Sequence, residues 1–224
     1  MGLHDGHRER MRKRFLTYGM DSLEDHEVLE LLLFFAFSRG DVNPLAHTLI
    51  NQFGSLQGVM DATFNELTSV KGVGPHTAYL IMLTKPLCRR YMLSQNDPKQ
   101  PLNSVDMFIQ YLVPYFFGAK EEHVYLLCLD VKGKPICCQE LSQGSATSTE
   151  LPIRRALQLA MDCKAVSVIL AHNHPNGEAY PSREDIAVTD MLRKSLQSVG
   201  VQLADHIIFG ADGHASFAQA GLFY

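Results

Sequence analysis

The sequence predicts an α+β protein, in which an all-helical N-terminal domain precedes a domain with a mixed α/β architecture around a sheet. Through the first 93 residues, apolar side chains recur at helical spacing, as they do between Val28 and Phe35. Beyond residue 103 the chain instead carries β-branched and aromatic runs separated by turn residues. These two patterns predict two domains.

The N-terminal region, residues 1–93, is expected to be a small helical bundle. Short breakers at Ser38–Asp41 and Phe53–Ser55 separate its segments, and Asn43-Pro44 begins a new helix with proline in its first turn. The next stretch, Ser94–Asn103, is polar, contains two prolines and lacks periodicity. We therefore expect a linker over residues 94–103.

The C-terminal domain, residues 104–224, is expected to combine strands with helices. A turn at Val131–Lys134 joins two strands into a hairpin, and the continuous apolar run Val166–Ala171 is typical of a buried strand. The predicted strands are His123–Asp130, Pro135–Leu141, Val166–Ala171 and Ile207–Phe209, and the predicted helices are Pro152–Asp162 and Arg183–Val199.

Composition is that of a globular protein. Apolar residues make up 46% and charged residues 20% of the 224 residues, which excludes disorder as the main state. The longest apolar run, Val28–Phe37, is interrupted by Glu30 and is shorter than the roughly 20 residues that a bilayer requires, and no secretion leader is recognisable. Five cysteines without a C-x-x-C pair indicate free thiols in a reducing compartment. We expect a cytoplasmic protein without membrane association.

The segment after the buried strand carries the most specific chemical signal. His172 and His174 are two residues apart at the strand end, so both imidazoles point to the same side. A Pro-Asn-Gly turn then favours a chain reversal, and Ser182 begins a helix whose first turn contains Asp185. Two imidazoles, one carboxylate and a free fourth position are what a catalytic zinc ion requires.

The same residues also fit a purely structural interpretation. Ser182 and Asp185 have the spacing of a helix capping box, and an acidic group is favourable in the first turn of a helix. His172 and His174 would then be ordinary residues at a strand end. Residue types and spacing alone leave both interpretations open.

The complete string resembles a known family. H-x-H followed after ten residues by Asp, with Ser three residues before that Asp, is the signature of JAMM (JAB/MPN-type) metalloproteases. VILAHNHPNG, PSREDI and DHIIFG are similar to the RadC branch, and the similarity covers nearly the whole chain from about residue 8. The resemblance implies a JAB/MPN-like, cytidine-deaminase-like fold. It also implies that His172, His174 and Asp185 bind Zn²⁺ and that Ser182 stabilises the oxyanion of a tetrahedral intermediate.

Members of this family also place a glutamate at the start of the first strand of the catalytic domain. This glutamate takes a proton from the zinc-bound water and returns it to the leaving amine. Glu122, just before His-Val-Tyr-Leu-Leu, fits that setting and is the expected general base. Glu121 is the alternative one residue earlier, and Glu140 on the paired strand is a third candidate.

The chain departs from the family pattern at two places. Pro152-Ile-Arg154-Arg155 stands where His-Pro-Arg-Glu is usual, so Arg155 replaces an acidic residue, and Gly144-Ser145 replaces Gly-Thr. These changes concern the shape or charge of a substrate groove and leave the implied metal ligands intact. His206, in the DHIIFG string, is expected to be a packed histidine, with a contact to a metal ligand as the alternative.

The stretch Leu67–Leu80 resembles a helix-hairpin-helix element with Gly72-Val73-Gly74 as the hairpin. Bare backbone N–H groups at the start of the second helix suit a DNA phosphate, with Lys71, Gly72 and Gly74 as contacts and His76 and Lys85 as supplements. However, residues 1–100 balance eleven basic against eleven acidic side chains. This balance favours helix packing or a protein contact, and non-specific DNA binding is the alternative.

These observations support a leading hypothesis and one competitor. The leading hypothesis is a zinc-dependent hydrolase that cleaves a peptide or isopeptide bond of a peptide or protein substrate, with the helical domain recruiting it to that substrate or to DNA. The competitor is a DNA-associated repair or recombination accessory protein whose zinc site is structural or vestigial. An H-N-H nuclease is excluded, because that motif spreads its residues across a ββα-metal unit.

Overall fold

The computed structural model describes residues 3–144, 153–175 and 177–223. The chain divides into two compact units, Met1–Arg90 and Tyr91–Tyr224. The helices are α1 (Leu3–Tyr18), α2 (Asp25–Ala36), α3 (Asn43–Phe53), α4 (Leu56–Asp61), α5 (Phe64–Ser69), α6 (Pro75–Ser94), α7 (Val105–Phe116), α8 (Ile153–Asp162) and α9 (Arg183–Ser198). The strands are β1 (His123–Leu129), β2 (Pro135–Gln143), β3 (Ser167–Asn173), β4 (Gln202–Gly210) and β5 (Gly213–Ser216). No helix in the described part of the chain is both long enough and apolar enough to cross a membrane.

The first unit is helical, and its elements begin where the sequence provides caps. Thr63 and Glu66 form a reciprocal capping box at the start of α5, and the Ser55 hydroxyl accepts a hydrogen bond from the Gly58 amide at the start of α4. Pro44 occupies the first turn of α3. The helices enclose one apolar core, whose fully buried members include Leu29, Leu33, Leu49, Leu67 and Ile81.

The second unit is built on a five-stranded mixed sheet in the order β2-β1-β3-β4-β5. The pair β3 and β4 is parallel, and the other neighbouring strands are antiparallel. Because side chains alternate along a strand, β1 directs Leu126 and Cys128 into a core shared with α8 and α9, and Leu127 and Leu129 into a core shared with α7. The sheet is therefore covered on both faces.

The parallel pair explains the position of the histidines. β3 contains the apolar run Val168–Ala171, its last six residues are buried, and it ends at Asn173. His172 is therefore the second-last residue of the strand, and His174 lies just beyond its end. α9 then connects β3 to β4. Ligand sites of α/β sheets commonly lie at the carboxyl ends of parallel strands, where side chains leave the packed core.

Several strand bounds differ from those the sequence predicts. β4 begins at Gln202, whereas the predicted strand begins at Ile207. The prediction is too short because the polar residue Asp205 interrupts the apolar pattern of the strand. In the folded chain Asp205 is fully buried and accepts hydrogen bonds from the Ser216 hydroxyl and from the amides of His206 and Ala218. β5 and α7 are additional to the predicted elements. Pro152, the predicted start of α8, lies outside the described residues.

Candidate metal centre

His172 and His174 place their imidazoles together on one side of β3. Their Nε2 atoms are 2.9 Å apart. His172 is almost completely buried, whereas the His174 side chain is 22% exposed. The pair therefore lies at the boundary between the core and the surface. The same-side geometry expected from the H-x-H spacing is present.

Asp185 approaches the histidines from the first turn of α9. Its Oδ1 atom lies 3.3 Å from His172 Nε2, and its Oδ2 atom lies 3.7 Å from His174 Nε2. The same carboxylate takes part in a capping box, because Oδ2 accepts hydrogen bonds from the Ser182 amide (2.8 Å) and the Ser182 hydroxyl (2.6 Å). The capping geometry and the approach to the histidines thus occur together.

The Ser182 hydroxyl makes two hydrogen bonds to Asp185 within this turn. It donates to Asp185 Oδ2 and accepts from the Asp185 amide at 3.0 Å. This arrangement holds the carboxylate in a defined orientation. In the structure, the contacts of Ser182 therefore orient the Asp185 carboxylate.

A line of hydrogen bonds behind His172 determines which of its nitrogens carries the proton. The Thr189 hydroxyl donates to the Asp185 carbonyl oxygen at 2.5 Å, so it accepts from His206 Nδ1 at 2.6 Å. The unprotonated Nε2 of His206 then accepts from His172 Nδ1 at 2.7 Å. His172 is therefore protonated at Nδ1, and its Nε2 lone pair faces Asp185.

Burial keeps both rings of this line neutral. It lowers the pKa of His172 to about 4, although the Asp185 carboxylate opposes this change. Burial also lowers the pKa of His206 well below its ordinary value, and the neighbouring histidines add to the effect. The expectation that His206 is only a packed residue is wrong: it stacks on Phe217 with ring centroids 4.5 Å apart, and it also bonds His172.

His174 reaches the same tautomer by a different contact. Its Nδ1 atom lies 3.0 Å from the Glu178 carbonyl oxygen, which can only accept, so Nδ1 carries the proton. When both rings are neutral, their Nε2 atoms therefore bear lone pairs that face each other at 2.9 Å. Such a contact is repulsive unless a cation lies between the nitrogens, and imidazoles held in this way are metal ligands of the usual kind.

Glu122 completes the group from the neighbouring strand. It lies immediately before β1, and its carboxylate is within 4.8 Å of the ligand atoms of His172 and His174. Burial raises the pKa of Glu122, the Asp185 carboxylate raises it further, and His174 opposes the change. The pKa of Glu122 therefore lies above that of an exposed glutamate.

The other two glutamate candidates have different surroundings. Glu121 is exposed, and its Oε2 atom lies 3.5 Å from the side-chain amide of Gln143. The Glu140 carboxylate lies 2.5 Å from His123 Nδ1, within hydrogen-bonding distance. Among the three glutamates, Glu122 is the one grouped with the histidines.

Asn173 positions the backbone around Glu122, a role that the sequence did not suggest. Its side-chain oxygen accepts from the His123 amide at 2.8 Å, and its side-chain nitrogen donates to the Glu121 carbonyl oxygen at 3.0 Å. The middle residue of the H-x-H motif therefore binds the chain on both sides of Glu122. The Asn173 side chain is buried in the folded protein, and a buried polar side chain needs partners, which these two backbone groups supply.

The loop between β3 and α9 is anchored to the end of β4. The Phe209 carbonyl accepts from the His174 amide at 2.7 Å, and the Ala211 amide donates to the Gly177 carbonyl at 2.9 Å. Gly210 permits this approach, because a Cβ atom there would lie 2.3 Å from the Ala179 nitrogen. The glycine of the DHIIFG string thus supports the loop that orients His174.

Of the departures noted in the sequence, Gly144, Arg154 and Arg155 are among the described residues. Arg154 is exposed, and Arg155 donates to the Leu141 carbonyl oxygen at 2.9 Å, which ties α8 to β2. Arg155 is therefore held against the sheet edge. Ser145 and Pro152 lie outside the described residues.

In the helical unit, Gly72 and Gly74 lie on an exposed turn between α5 and α6. Gly72 has a φ of +98°, which favours glycine, and Val73 between them is buried. Lys71 and His76 are exposed, whereas Lys85 forms an ion pair with Asp61. The lysine predicted to supplement a phosphate contact from α6 is thus engaged within the unit.

The sheet with its histidine, aspartate and glutamate group defines a domain of the JAB type. Residues 102–222 match the family described as RadC-like JAB domain, and residues 6–79 match the family described as UPF0758 N-terminal. The chain is 33% identical over 210 residues to UPF0758 protein Bxeno_A3578 of Paraburkholderia xenovorans (strain LB400), a match that covers 94% of this chain and 83% of that protein.

This protein belongs to the RadC-like JAB domain family, UPF0758. The family resemblance seen in the sequence is confirmed, and so is the α+β architecture of a helical N-terminal region followed by a JAB-type sheet domain.

Proposed function

We propose that this protein is a zinc-dependent hydrolase of the JAMM type that cleaves a peptide or isopeptide bond. The observation that carries the proposal is the convergence of two imidazole Nε2 atoms, those of His172 and His174, with the Asp185 carboxylate and with Glu122 nearby. The line of hydrogen bonds behind His172 and the Glu178 carbonyl behind His174 support this proposal, because each holds a proton on Nδ1 and leaves Nε2 as the lone-pair nitrogen of the neutral ring.

The donor set fits zinc. His172, His174 and Asp185 would hold the ion, because two neutral imidazoles and a carboxylate are ligands that catalytic zinc commonly takes while a further position stays open. The partial exposure of His174 leaves one side of the group accessible. A zinc ion bound there would supply a water nucleophile at neutral pH and a Lewis acid for the carbonyl oxygen.

Glu122 is suited to proton transfer. Its partly buried carboxylate has a raised pKa, and a raised pKa makes a carboxylate a stronger base, so Glu122 is suited to accept a proton from the attacking water and to return it to the leaving nitrogen. Asn173 fixes the adjacent backbone, which keeps the carboxylate from moving away during the transfer.

Ser182 supports this proposal through Asp185. In the present geometry its hydroxyl proton is donated to Asp185 Oδ2. To donate to a substrate oxyanion, the hydroxyl would first have to break its bond to Asp185 Oδ2. We therefore assign Ser182 the role of orienting Asp185.

The test combines metal content with hydrolysis. The purified protein should contain one zinc ion per chain, and it should cleave members of a peptide library or of a set of lysine isopeptides. His174→Ala should lose both properties, whereas His214→Ala, which changes an exposed histidine on β5, should keep both. Equal zinc in the wild type and His174→Ala, or hydrolysis that survives a zinc chelator, would overturn the proposal.

A further inference from the structure

A second group of reactive side chains lies in the core between the sheet and α8. Cys128 on β1, Cys137 on β2 and Cys163 just after α8 bring their sulfur atoms within 4.8 Å of one another. Cys128 and Cys137 are direct cross-strand partners. The Sγ atoms of Cys137 and Cys163 are only 2.8 Å apart, so these two thiols face each other.

The surroundings decide which chemistry suits the group. The three cysteines pack with apolar side chains such as Leu126, Ala156 and Ala160. Burial raises the pKa of Cys137 to about 11, and it raises the pKa of Cys128 strongly, with further contributions from the neighbouring thiols. A metal ion would need buried thiolates, whereas a disulfide between two of the sulfurs is neutral and fits an apolar environment.

Accessibility identifies the reacting pair. Cys128 is fully buried, whereas Cys137 and Cys163 are partly exposed. Cys163 lies in the turn between α8 and β3, where a small oxidant can reach it. Cys138, although adjacent to Cys137 in sequence, packs on the opposite face of the sheet with the core that contains α7.

We propose that Cys137 and Cys163 form a site of reversible oxidative modification, which closes to a disulfide when a peroxide oxidises Cys163. The Cys163 sulfur attacks one peroxide oxygen, the O–O bond breaks, and a sulfenic acid and one water form. The Cys137 sulfur then displaces hydroxide from the sulfenic sulfur, and the Cys137 proton leaves with it as a second water. The two sulfurs are oxidised, and the two peroxide oxygens are reduced.

The disulfide would join β2 to the turn that precedes β3. It would link two residues that are 26 positions apart in sequence, which restricts the unfolded chain. Reduction by an exogenous thiol would reopen it. The modification involves none of the residues of the candidate metal centre.

The test uses the full chain, treated with excess hydrogen peroxide and then alkylated with N-ethylmaleimide before non-reducing peptide mapping. We expect one disulfide that links the peptides containing Cys137 and Cys163, and we expect dithiothreitol to remove it. The oxidised protein should also melt at a higher temperature than the reduced protein. Because Cys137 and Cys138 fall in one peptide, variants must separate them.

The variants provide a matched comparison. Cys137→Ser and Cys163→Ser change partly exposed residues and should abolish the bond and the rise in melting temperature, while Cys138→Ser and Cys88→Ser should retain both. Circular dichroism of each reduced variant checks the fold. The proposal is overturned if all five thiols remain alkylatable, if the bond instead includes Cys128 or Cys138, or if a metal ion copurifies and is lost in Cys137→Ser.

Discussion

The Nδ1 atom of His172 donates a hydrogen bond to Nε2 of His206 at 2.7 Å, and this contact makes the ring of His172 a ready metal ligand. His206 can accept that bond because its own Nδ1 proton is committed to the Thr189 hydroxyl at 2.6 Å. Thr189 is therefore two hydrogen bonds away from the nitrogen that faces Asp185.

This relationship predicts a distinct effect for substitutions of Thr189. Thr189→Val keeps the shape of a buried side chain but removes the acceptor for His206 Nδ1, so His172 is no longer held in one tautomer. We expect zinc affinity to fall by about 10- to 100-fold, as measured by competition with a chromophoric chelator. Thr189→Ser restores the hydroxyl and should recover most of the affinity. Unchanged affinity in Thr189→Val would show that the line of hydrogen bonds does not influence metal binding.

The second prediction separates proton transfer from metal binding. Glu122→Gln should retain one zinc ion per chain and lose hydrolysis by about 10²-fold or more, because the amide cannot accept the proton. Glu121→Gln is the matched control, since its side chain is exposed and should leave activity near that of the wild type. Loss of zinc in Glu122→Gln would instead make Glu122 a ligand.

The third prediction concerns the close approach at Gly210. In Gly210→Ala the new Cβ atom would meet the Ala179 nitrogen and the Glu178 carbonyl carbon at 2.3 and 2.6 Å, so the loop must move. Because the Glu178 carbonyl orients His174, zinc affinity should fall and stability should decrease by about 1–3 kcal/mol. Gly74→Ala, where a Cβ atom meets nothing within 4 Å, is the control. Isothermal denaturation and zinc titration measure the two effects, and equal behaviour of the two variants would contradict the role of Gly210.

The fourth prediction is the pH dependence of stability in the metal-free protein. The pKa of His172 falls from 6.5 to about 4 on folding, so the unfolded chain binds a proton in this range that the folded chain does not, and the lowered pKa of His206 acts in the same direction. Stability should therefore decrease as pH falls from 6.5 towards 4, by on the order of 3 kcal/mol. Urea denaturation at a series of pH values measures it. His172→Asn should flatten this part of the profile, and His214→Asn should not; identical profiles for all three proteins would refute the assignment.

The fifth prediction concerns the hairpin at Gly72–Gly74. Lys85 is paired with Asp61, and residues 1–100 carry balanced charge, so we expect duplex DNA to bind more weakly than about 10⁻⁴ M at physiological salt. Fluorescence anisotropy with the full chain measures this affinity. Micromolar binding that is abolished by Gly74→Glu and weakened by Lys71→Met, but not by Lys85→Met, would instead support a DNA-associated role for the helical unit.

Local features of the chain were predictable because they depend on residues a few positions apart. The alternation of a strand places His172 and His174 on one side, and the spacing of Ser182 and Asp185 gives the capping box. The glycine-rich turn before α6 follows from the same kind of short-range argument. These features needed only the residue types and their separation in sequence.

The remaining features depend on strand order and register, which core packing decides. Asn173 binds the backbone of residues near position 122, some 50 residues earlier, only because β1 pairs with β3. His206 reaches His172 across the parallel pair β3 and β4, and Cys163 reaches Cys137 across the core under α8. Composition and periodicity predict which apolar side chains are buried. Which buried side chains meet is decided by the packing of distant segments, and that packing selects Glu122 and the hydrogen-bond partners of His172.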